Sequence, residues 1–484
     1  MQNTDPVWDI VDTKRADYTR LSDQVWDTPE LNFLEQRSLA SHVEQLEREG
    51  FRVQTGIAGI PTAVVGEAGE DGPVIAILGE YDALPGLSQA AGVAEHQPLS
   101  QGGAGHGCGH NLLGAGAMLA AAAVKDWLAA NGVKGRVRYY GCPAEEGGAA
   151  KTFMVRDGAF DDVDIAISWH PAPLSGVNPA ISLAVMQVDF TFEGRASHAA
   201  ASPHLVRSAL DATELMSVGV NYLREHMPSD ARVHAAYLDA GGIAPNVVQA
   251  KTVVRYLVRA AELAELFALT GRVVRIAEGA ALMTETRMTH NVVSAMSNLL
   301  GNKPLEQTMY DAFQRLGPPP FSQEDEVFAN QIRATVREDD ITSAFRRFGV
   351  KPDRDMPLCR LIVPLDAVGE KMVGSTDVGD VSWAVPTVQA RGATYAIGTA
   401  GHSWQLTAQG KTPAAHTGMV HTAKVMASTA IEVLKDPALL ARAKAEHQAR
   451  LAATPYRCPL PAGLEPPFTM SAGPTSTGGR SAGG

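Results

Sequence analysis

Hydrophobic positions recur at helical spacing from the start of the chain. Val7, Ile10, Val11, Tyr18, Leu21 and Val25 predict a helix over 7–26, and Thr28-Pro29-Glu30 breaks it. A second helix, roughly 34–49, turns Leu34, Leu39, Val43 and Leu46 inward and stops at Gly50. Short apolar runs then predict strands at 51–55, 62–65 and 73–78. The run Pro73-Val-Ile-Ala-Ile-Leu78 has no polar position, as expected of a strand covered on both faces. An alanine-rich helix over 112–130 precedes further strands at 136–140, 165–169 and 394–397. Four of these strands run into side chains that bind ligands or move protons. They are Glu80 and Asp82, Glu145 and Glu146, His170, and His402. In an open α/β sheet the carboxyl ends of the strands are where ligands bind.

The pattern changes after residue 185. Residues 185–192 alternate as a half-buried strand does, followed by a helix at 208–223, strands at 233–238 and 247–258, and a helix at 261–279. This predicts a small α+β layer domain inserted into an α/β one. The expected division is 1–185 and 301–460 for the two parts of the larger domain and 186–300 for the insertion. Helices are expected in 305–350, 414–434 and 438–451. The stretch 86–107 reads as a long loop, functional or mobile. Residues 461–484, mostly Pro, Gly, Ala, Ser and Thr, read as a disordered tail.

A chain of 484 residues exceeds one ordinary core, which agrees with two domains. The net charge of −12 argues against nucleic acid and anionic membranes as partners. No apolar run reaches the ~18 residues that span a bilayer, and the N-terminus lacks a signal-peptide pattern. Four widely spaced cysteines make no disulfide scaffold, so a reducing cytoplasm is the expected compartment.

The richest chemistry lies in His106-Gly-Cys108-Gly-His110-Asn111. A thiolate and an imidazole two residues apart suit a borderline divalent metal, and the glycines let the backbone pass close to it. Cys108, His110, Glu146, His170 and His402 supply five ligand groups of suitable type. A thiolate has lone pairs enough to bridge two ions. Glu145 and Glu146 are neighbours whose side chains point apart, so one can bind metal while the other handles protons. Such a set suits metal-assisted hydrolysis of an amide. His42 and His421 read as hydrogen-bonded core residues, His106 as a neighbour of the site, and Cys142, Cys359 and Cys458 as inert thiols.

The motifs Gly79-Glu-Tyr-Asp-Ala-Leu-Pro85, Gly107-Cys-Gly-His-Asn111, Pro143-Ala-Glu-Glu-Gly-Gly148, Trp169-His-Pro171, Gly194-Arg-Ala-Ser-His198 and Gly401-His402 resemble the M20 metallopeptidase family, in its amidohydrolase branch. So do Lys151–Arg156, Ser375–Trp383 and Tyr456–Pro459. The resemblance implies a mixed central sheet covered by helices, with an inserted ferredoxin-like lid that dimerises. It implies two divalent ions, zinc or manganese. Cys108 would bridge them, His110 and His170 would complete one site, and Glu146 and His402 the other. Glu145 would be the general base and acid, with Asp82 behind the ligands. The wider family has a His where this chain has Glu80, whose role is left open. His198 resembles a lid histidine that reaches a neighbouring active site and polarises the scissile carbonyl. Asn246 and Arg259 resemble residues that hold the substrate's carboxylate. The implied substrate is an N-acyl or N-aroyl amino acid, first of all p-aminobenzoyl-glutamate, cleaved to p-aminobenzoate and glutamate. Alternatives are conjugates such as indole-acetyl-aspartate, or dipeptides. A different class of role is a non-catalytic partner in a hetero-oligomer. The expected assembly is a homodimer or a heterodimer with a related chain.

Overall fold

The computed structural model describes residues 5–370 and 374–471. Eleven strands are formed among them: β1 (Arg52–Thr55), β2 (Val64–Glu70), β3 (Val74–Glu80), β4 (Gly135–Cys142), β5 (Ile165–Ala172), β6 (Gly176–Val177), β7 (Ala184–Glu193), β8 (Arg232–Asp239), β9 (Lys251–Ala260), β10 (Arg287–Met296) and β11 (Thr387–Ala393). Seven make one mixed sheet in the order β1-β2-β4-β3-β5-β11-β6. Its centre, β4-β3-β5-β11, is parallel, and its two flanks pair antiparallel.

The apolar run of 73–78 is the middle of this sheet, and every residue of β3 is buried. Ile75 and Ile77 pack with the helices Pro6–Asp27, His110–Asn131 and Pro413–Lys435, while Val74, Ala76 and Leu78 pack with Phe153, Met154 and Phe160 on the other face. Two helices approach the sheet at glycines. A Cβ on Gly114 would lie 2.6 Å from the Glu80 carbonyl, and one on Gly418 only 1.8 Å from that of Ala393. Helix His110–Asn131 is long and apolar enough to cross a bilayer, but 83% of its most apolar 18-residue window is buried inside the fold.

The other four strands form an antiparallel sheet in the order β10-β7-β9-β8. With helix Ala209–Leu223 between β7 and β8, and Leu263–Thr284 between β9 and β10, the connectivity is ferredoxin-like. The two helices cover one face through Met216, Val220, Val273 and Ala277, against Phe190 and Val254. Strand β8 is an exposed edge.

The structure corrects several expectations. The strand expected at 394–397 ends before it, at Ala393, and Thr394–Ile397 lies in the loop beyond. Gln389 and Arg391 interrupt the apolar pattern of the true strand, although both are buried. Strand β10 was not expected, because Arg287-Met-Thr-His-Asn291 is largely polar and half solvated. Strand β9 begins at Lys251, not at 247. Leu34 points outward, 43% exposed, just ahead of the helix that starts at Gln36. The loop 86–107 is pinned by backbone bonds, among them Ser88 N to Gly103 O (2.9 Å) and Gly92 N to Ala408 O (2.8 Å). Residues 461–471, expected to be disordered, pack on the large domain. Phe468 meets Phe33 edge-on at 5.3 Å, and the Leu464 carbonyl accepts from Arg156. The remainder of the expected tail, 472–484, lies outside the described residues.

Candidate metal centre

Strands β3, β4 and β5 end at one edge of the large sheet and deliver side chains to one place. The tight turn before helix His110–Asn131 brings Cys108 there. Gly109, at φ +79°, makes that turn, and a Cβ on it would press against the Pro171 ring at 3.0 Å. Cys108 Sγ lies 3.4 Å from His170 Nε2. The ligand atoms of Cys108, His110 and His170 all fall within 4.8 Å of one another, and so do those of Cys108, Glu146 and His402. Cys108 belongs to both groups. A third group, Glu80, His110 and Glu145, adjoins them. His402 arrives from the loop after β11, not from a strand end. Its own φ is +55°, its N–H donates to the Gly107 carbonyl at 2.8 Å, and its Nε2 is 3.3 Å from Glu146 Oε1.

Neighbouring groups set the ring tautomers. Asp82 Oδ1 holds His110 Nδ1 at 2.9 Å, and Asp82 Oδ2 accepts from the Glu146 N–H at 2.9 Å. The Pro171 carbonyl holds His170 Nδ1 at 2.8 Å. Each imidazole therefore turns Nε2, the ligand nitrogen, toward the cluster. Glu80 is split between two tasks. Its Oε1 accepts from the Lys151 ammonium at 2.6 Å, and its Oε2 faces His110 Nε2 at 3.2 Å. Lys151 also binds Asp377 Oδ1 at 2.7 Å, and all three side chains are buried.

The residues fit a pair of divalent ions. Glu80 Oε2, His110 Nε2 and Glu146 Oε1 are buried without a hydrogen-bond partner, and all belong to the three ligand groups. Burial, then the charges of Glu80 and Glu146, pushes Glu145 well up. Burial, then Glu146, likewise pushes up the Cys108 thiol. Burial would lower His110, but Asp82, Cys108 and Glu80 outweigh it and raise its pKa well above the usual value. Such an excess of buried acids calls for cations among them. Thiolate, imidazole and carboxylate donors together suit zinc-like ions.

Three further expected site residues are carried on or beside the second sheet. His198 is exposed, and its Nδ1 accepts from Ala200 N (3.2 Å) and Ala201 N (3.1 Å). Asn246, also exposed, is tied beside it: its carbonyl accepts from Ala199 N at 3.0 Å. Arg259 on β9 is half-buried and donates to Ser375 Oγ at 3.2 Å, and burial lowers its pKa. His198 is in none of the ligand groups.

Sequence reasoning misses the residues that support the centre. Lys151 and Asp377 lie in stretches that resemble the family, but neither belongs to a ligand group. Glu35 lies in none. Its Oε1 accepts from Phe33 N (2.9 Å) and Ala144 N (3.0 Å), anchoring the turn that presents Glu145. Ala144 (φ 54°) and Ala149 (φ 55°) hold that turn in left-handed conformations. One available signal was a lysine, Lys151, set in the otherwise uncharged stretch 149–155.

Residues 76–338 match the sequence model of peptidase family M20/M25/M40. A p-aminobenzoyl-glutamate hydrolase subunit from Escherichia coli (strain K12) is 45% identical over 95% of this chain and 97% of its own. The Xaa-Arg dipeptidase of Mus musculus is 30% identical over 89% of each. The crystal structure of a dinuclear metal-binding M20 peptidase of Bacillus subtilis covers 85% of this chain and 98% of its own, at TM-score 0.55 and 19% identity. With a family match over more than half of the chain and a relative this similar along nearly all of it, the chain belongs to peptidase family M20/M25/M40.

Proposed function

We propose that this chain is a two-metal amidohydrolase that cleaves an N-acyl or N-aroyl amino acid, with p-aminobenzoyl-glutamate as the first substrate to try. The observation that carries the reading is Cys108, shared by two ligand groups with Glu145 beside them. Cys108, His110 and His170 would hold one ion, and Cys108, Glu146 and His402 the other. Zinc and manganese both suit these donors. When bound, the ions supply the Lewis acidity that polarises a carbonyl and acidifies a water.

Glu145 takes the proton from the attacking water and passes it to the amide nitrogen as the C–N bond breaks. Burial and the charges of Glu80 and Glu146 raise its pKa, which makes it a stronger base. Asp82 keeps His110 in the ligand tautomer. Lys151 holds one Glu80 oxygen, so that the other stays aimed at the site. His198, presented on the outer surface of the lid, serves the active site of a partner chain by donating to the scissile carbonyl. Arg259 and Asn246 hold the α-carboxylate of the amino acid, for which an arginine fork is well shaped. The partner is a second copy or a related chain, since the Escherichia coli relative is itself named as one subunit of its hydrolase. The complete ligand set and Glu145 favour a competent chain over a non-catalytic partner. A reducing compartment, the cytoplasm, suits an unpaired Cys108.

The test is Glu145→Gln in the metal-loaded chain. We expect turnover of p-aminobenzoyl-glutamate to fall by about 10³-fold or more while metal content stays at the wild-type level. Undiminished turnover refutes the assignment of the base.

A further inference from the structure

A cavity of about 420 Å³ lies where helix Leu263–Thr284, packed on the four-stranded sheet, meets the C-terminal part of the chain. Leu263 and Phe267 line it from that helix. Trp383 lines it from helix Val378–Ala384, and Arg450 and Arg457 from helix Pro437–Ala453 and the segment after it. Leu263 and Trp383 are buried, whereas Glu262, Thr454 and Arg457 are exposed, so solvent reaches the cavity past them. The walls are fixed by hydrogen bonds. Trp383 Nε1 donates to the Asn298 carbonyl at 2.8 Å, and Asn298 Oδ1 accepts from Leu263 N at 3.2 Å. Asn298 therefore ties the helix of the smaller sheet to the indole of the larger unit. The next wall residue but one, Leu300, donates its N–H to Ser382 Oγ at 2.8 Å. With its one N–H already spent, Trp383 offers the cavity only its apolar ring.

Elsewhere in this chain, arginines are locked onto carboxylates. Arg138 is forked onto Asp162 and Arg255 onto Asp189. Arg457 is not. Its guanidinium lies over the Phe267 ring at 4.4 Å and makes no hydrogen bond or ion pair to a described residue. A guanidinium stacked on an aromatic face keeps its N–H donors at the edge, where a carboxylate can accept two of them. Arg450 gives Nε and Nη2 to Glu446 Oε1 at 3.2 and 2.8 Å, and its Nη1 donates to no described residue. Two cations thus face the cavity against one acid, Glu262.

We infer that this cavity is a binding site for a small aromatic carboxylate, which bridges the two sheet-bearing units. The volume falls in the range of small-molecule sites, roughly 300–1,000 Å³, and the lining has their usual character, apolar and aromatic walls with a few polar groups that fix orientation. The ring lies against Leu263, Leu300 and Trp383, where an aromatic wall favours offset or edge-on contact with an aromatic guest. The carboxylate takes the free edge of Arg457, with Arg450 beside it. A neutral amide brings no charge and only one acceptor oxygen to that fork. Because the walls belong to both units and Asn298 joins them, the bound carboxylate holds the junction closed. The inference stands apart from the hydrolase reading.

The test compares benzoate with benzamide on the metal-loaded full-length chain, by calorimetry and by amide hydrogen exchange. We expect benzoate to bind with a Kd of about 1 mM or tighter, and benzamide at least about tenfold more weakly. Arg457→Ala should weaken benzoate at least about tenfold; Arg457 is exposed, so this variant keeps its fold. Saturating benzoate should slow exchange in 262–267 and 297–300 of the wild type and leave both segments of Arg457→Ala unchanged. Equal affinities for benzoate and benzamide overturn the site, as does an affinity that Arg457→Ala leaves intact. So does protection confined to the segments that carry Cys108, Glu145 and His170, which would place the carboxylate on the metals.

Discussion

Lys151 shows how much of this centre depends on groups that bind no metal. Its ammonium is buried and holds Glu80 at 2.6 Å and Asp377 at 2.7 Å, while its own N–H donates to Asp377 at 3.0 Å. Burial raises Asp377 to about 6 even with the lysine beside it. Replacing Lys151 with Met would fill the volume but leave two carboxylates buried together. We expect Lys151→Met to lose about 3–5 kcal/mol in urea unfolding, the usual cost of breaking a buried ion pair from one side. Undiminished stability would mean that Glu80 and Asp377 find other partners.

At the level of elements, the position of His402 depends on how closely helix Pro413–Lys435 lies on β11. The segment between them, a loop and the short helix Trp404–Gln409, carries His402. Gly418 allows the close approach, since a Cβ there would sit 1.8 Å from the Ala393 carbonyl, a backbone atom that cannot swing aside. Gly418→Ala must move the helix or the strand. We expect it to destabilise the fold by about 1–3 kcal/mol, the range for overpacking, and to weaken metal retention with it. Thermal melts and metal analysis after dialysis check both. A variant that keeps its melting temperature and its metal would show that the helix shifts without disturbing the loop.

At the scale of the whole molecule, two expectations concern assembly and pH. His198 is exposed and belongs to none of the ligand groups of its own chain. If it serves a partner's site, His198→Ala and Glu145→Gln chains, each nearly inactive alone, should regain activity when mixed and allowed to exchange partners. No recovery would place His198 in its own chain's site.

The pH response follows from buried groups. Burial lowers His42, His106 and His421 to about 4 in the folded chain, against 6.5 when exposed. Their contribution is intact above about 6.5 and is lost as the pH falls toward 4, because the unfolded chain binds protons that the folded one refuses. Glu35, raised to about 8 by burial and by the charge of Asp82, has the opposite sign: its contribution is full below about 4.5 and is lost as the pH rises through 8. Asp377, raised to about 6, and Glu145, raised well above the usual range, act in the same sense as Glu35, so the total is shared between opposing groups. The histidine share is isolated by His421→Gln, which should lose about 2 kcal/mol less than the wild type in urea unfolding between pH 7 and pH 5. An unchanged difference would show that His421 is hydrated.

The sequence by itself determined the architecture and pointed to the candidate donor atoms. The run at 73–78 could only be a doubly covered strand, and the alternation at 185–192 a one-sided one, because burial on one face or two leaves its own period in the chain. Cys108, His110, Glu146, His170 and His402 could be read as candidates because thiol, imidazole and carboxylate groups are the usual metal donors. Tertiary structure alone decided what surrounds them. Lys151, Asp377 and Glu35 act across sequence distances that leave no local period, and their charges are tolerated only because each finds its partners in the folded interior. Strand β11 was misplaced for the same reason. Its Gln389 and Arg391 look like surface residues in one dimension, and packing against Phe348 and the neighbouring strands is what buries them.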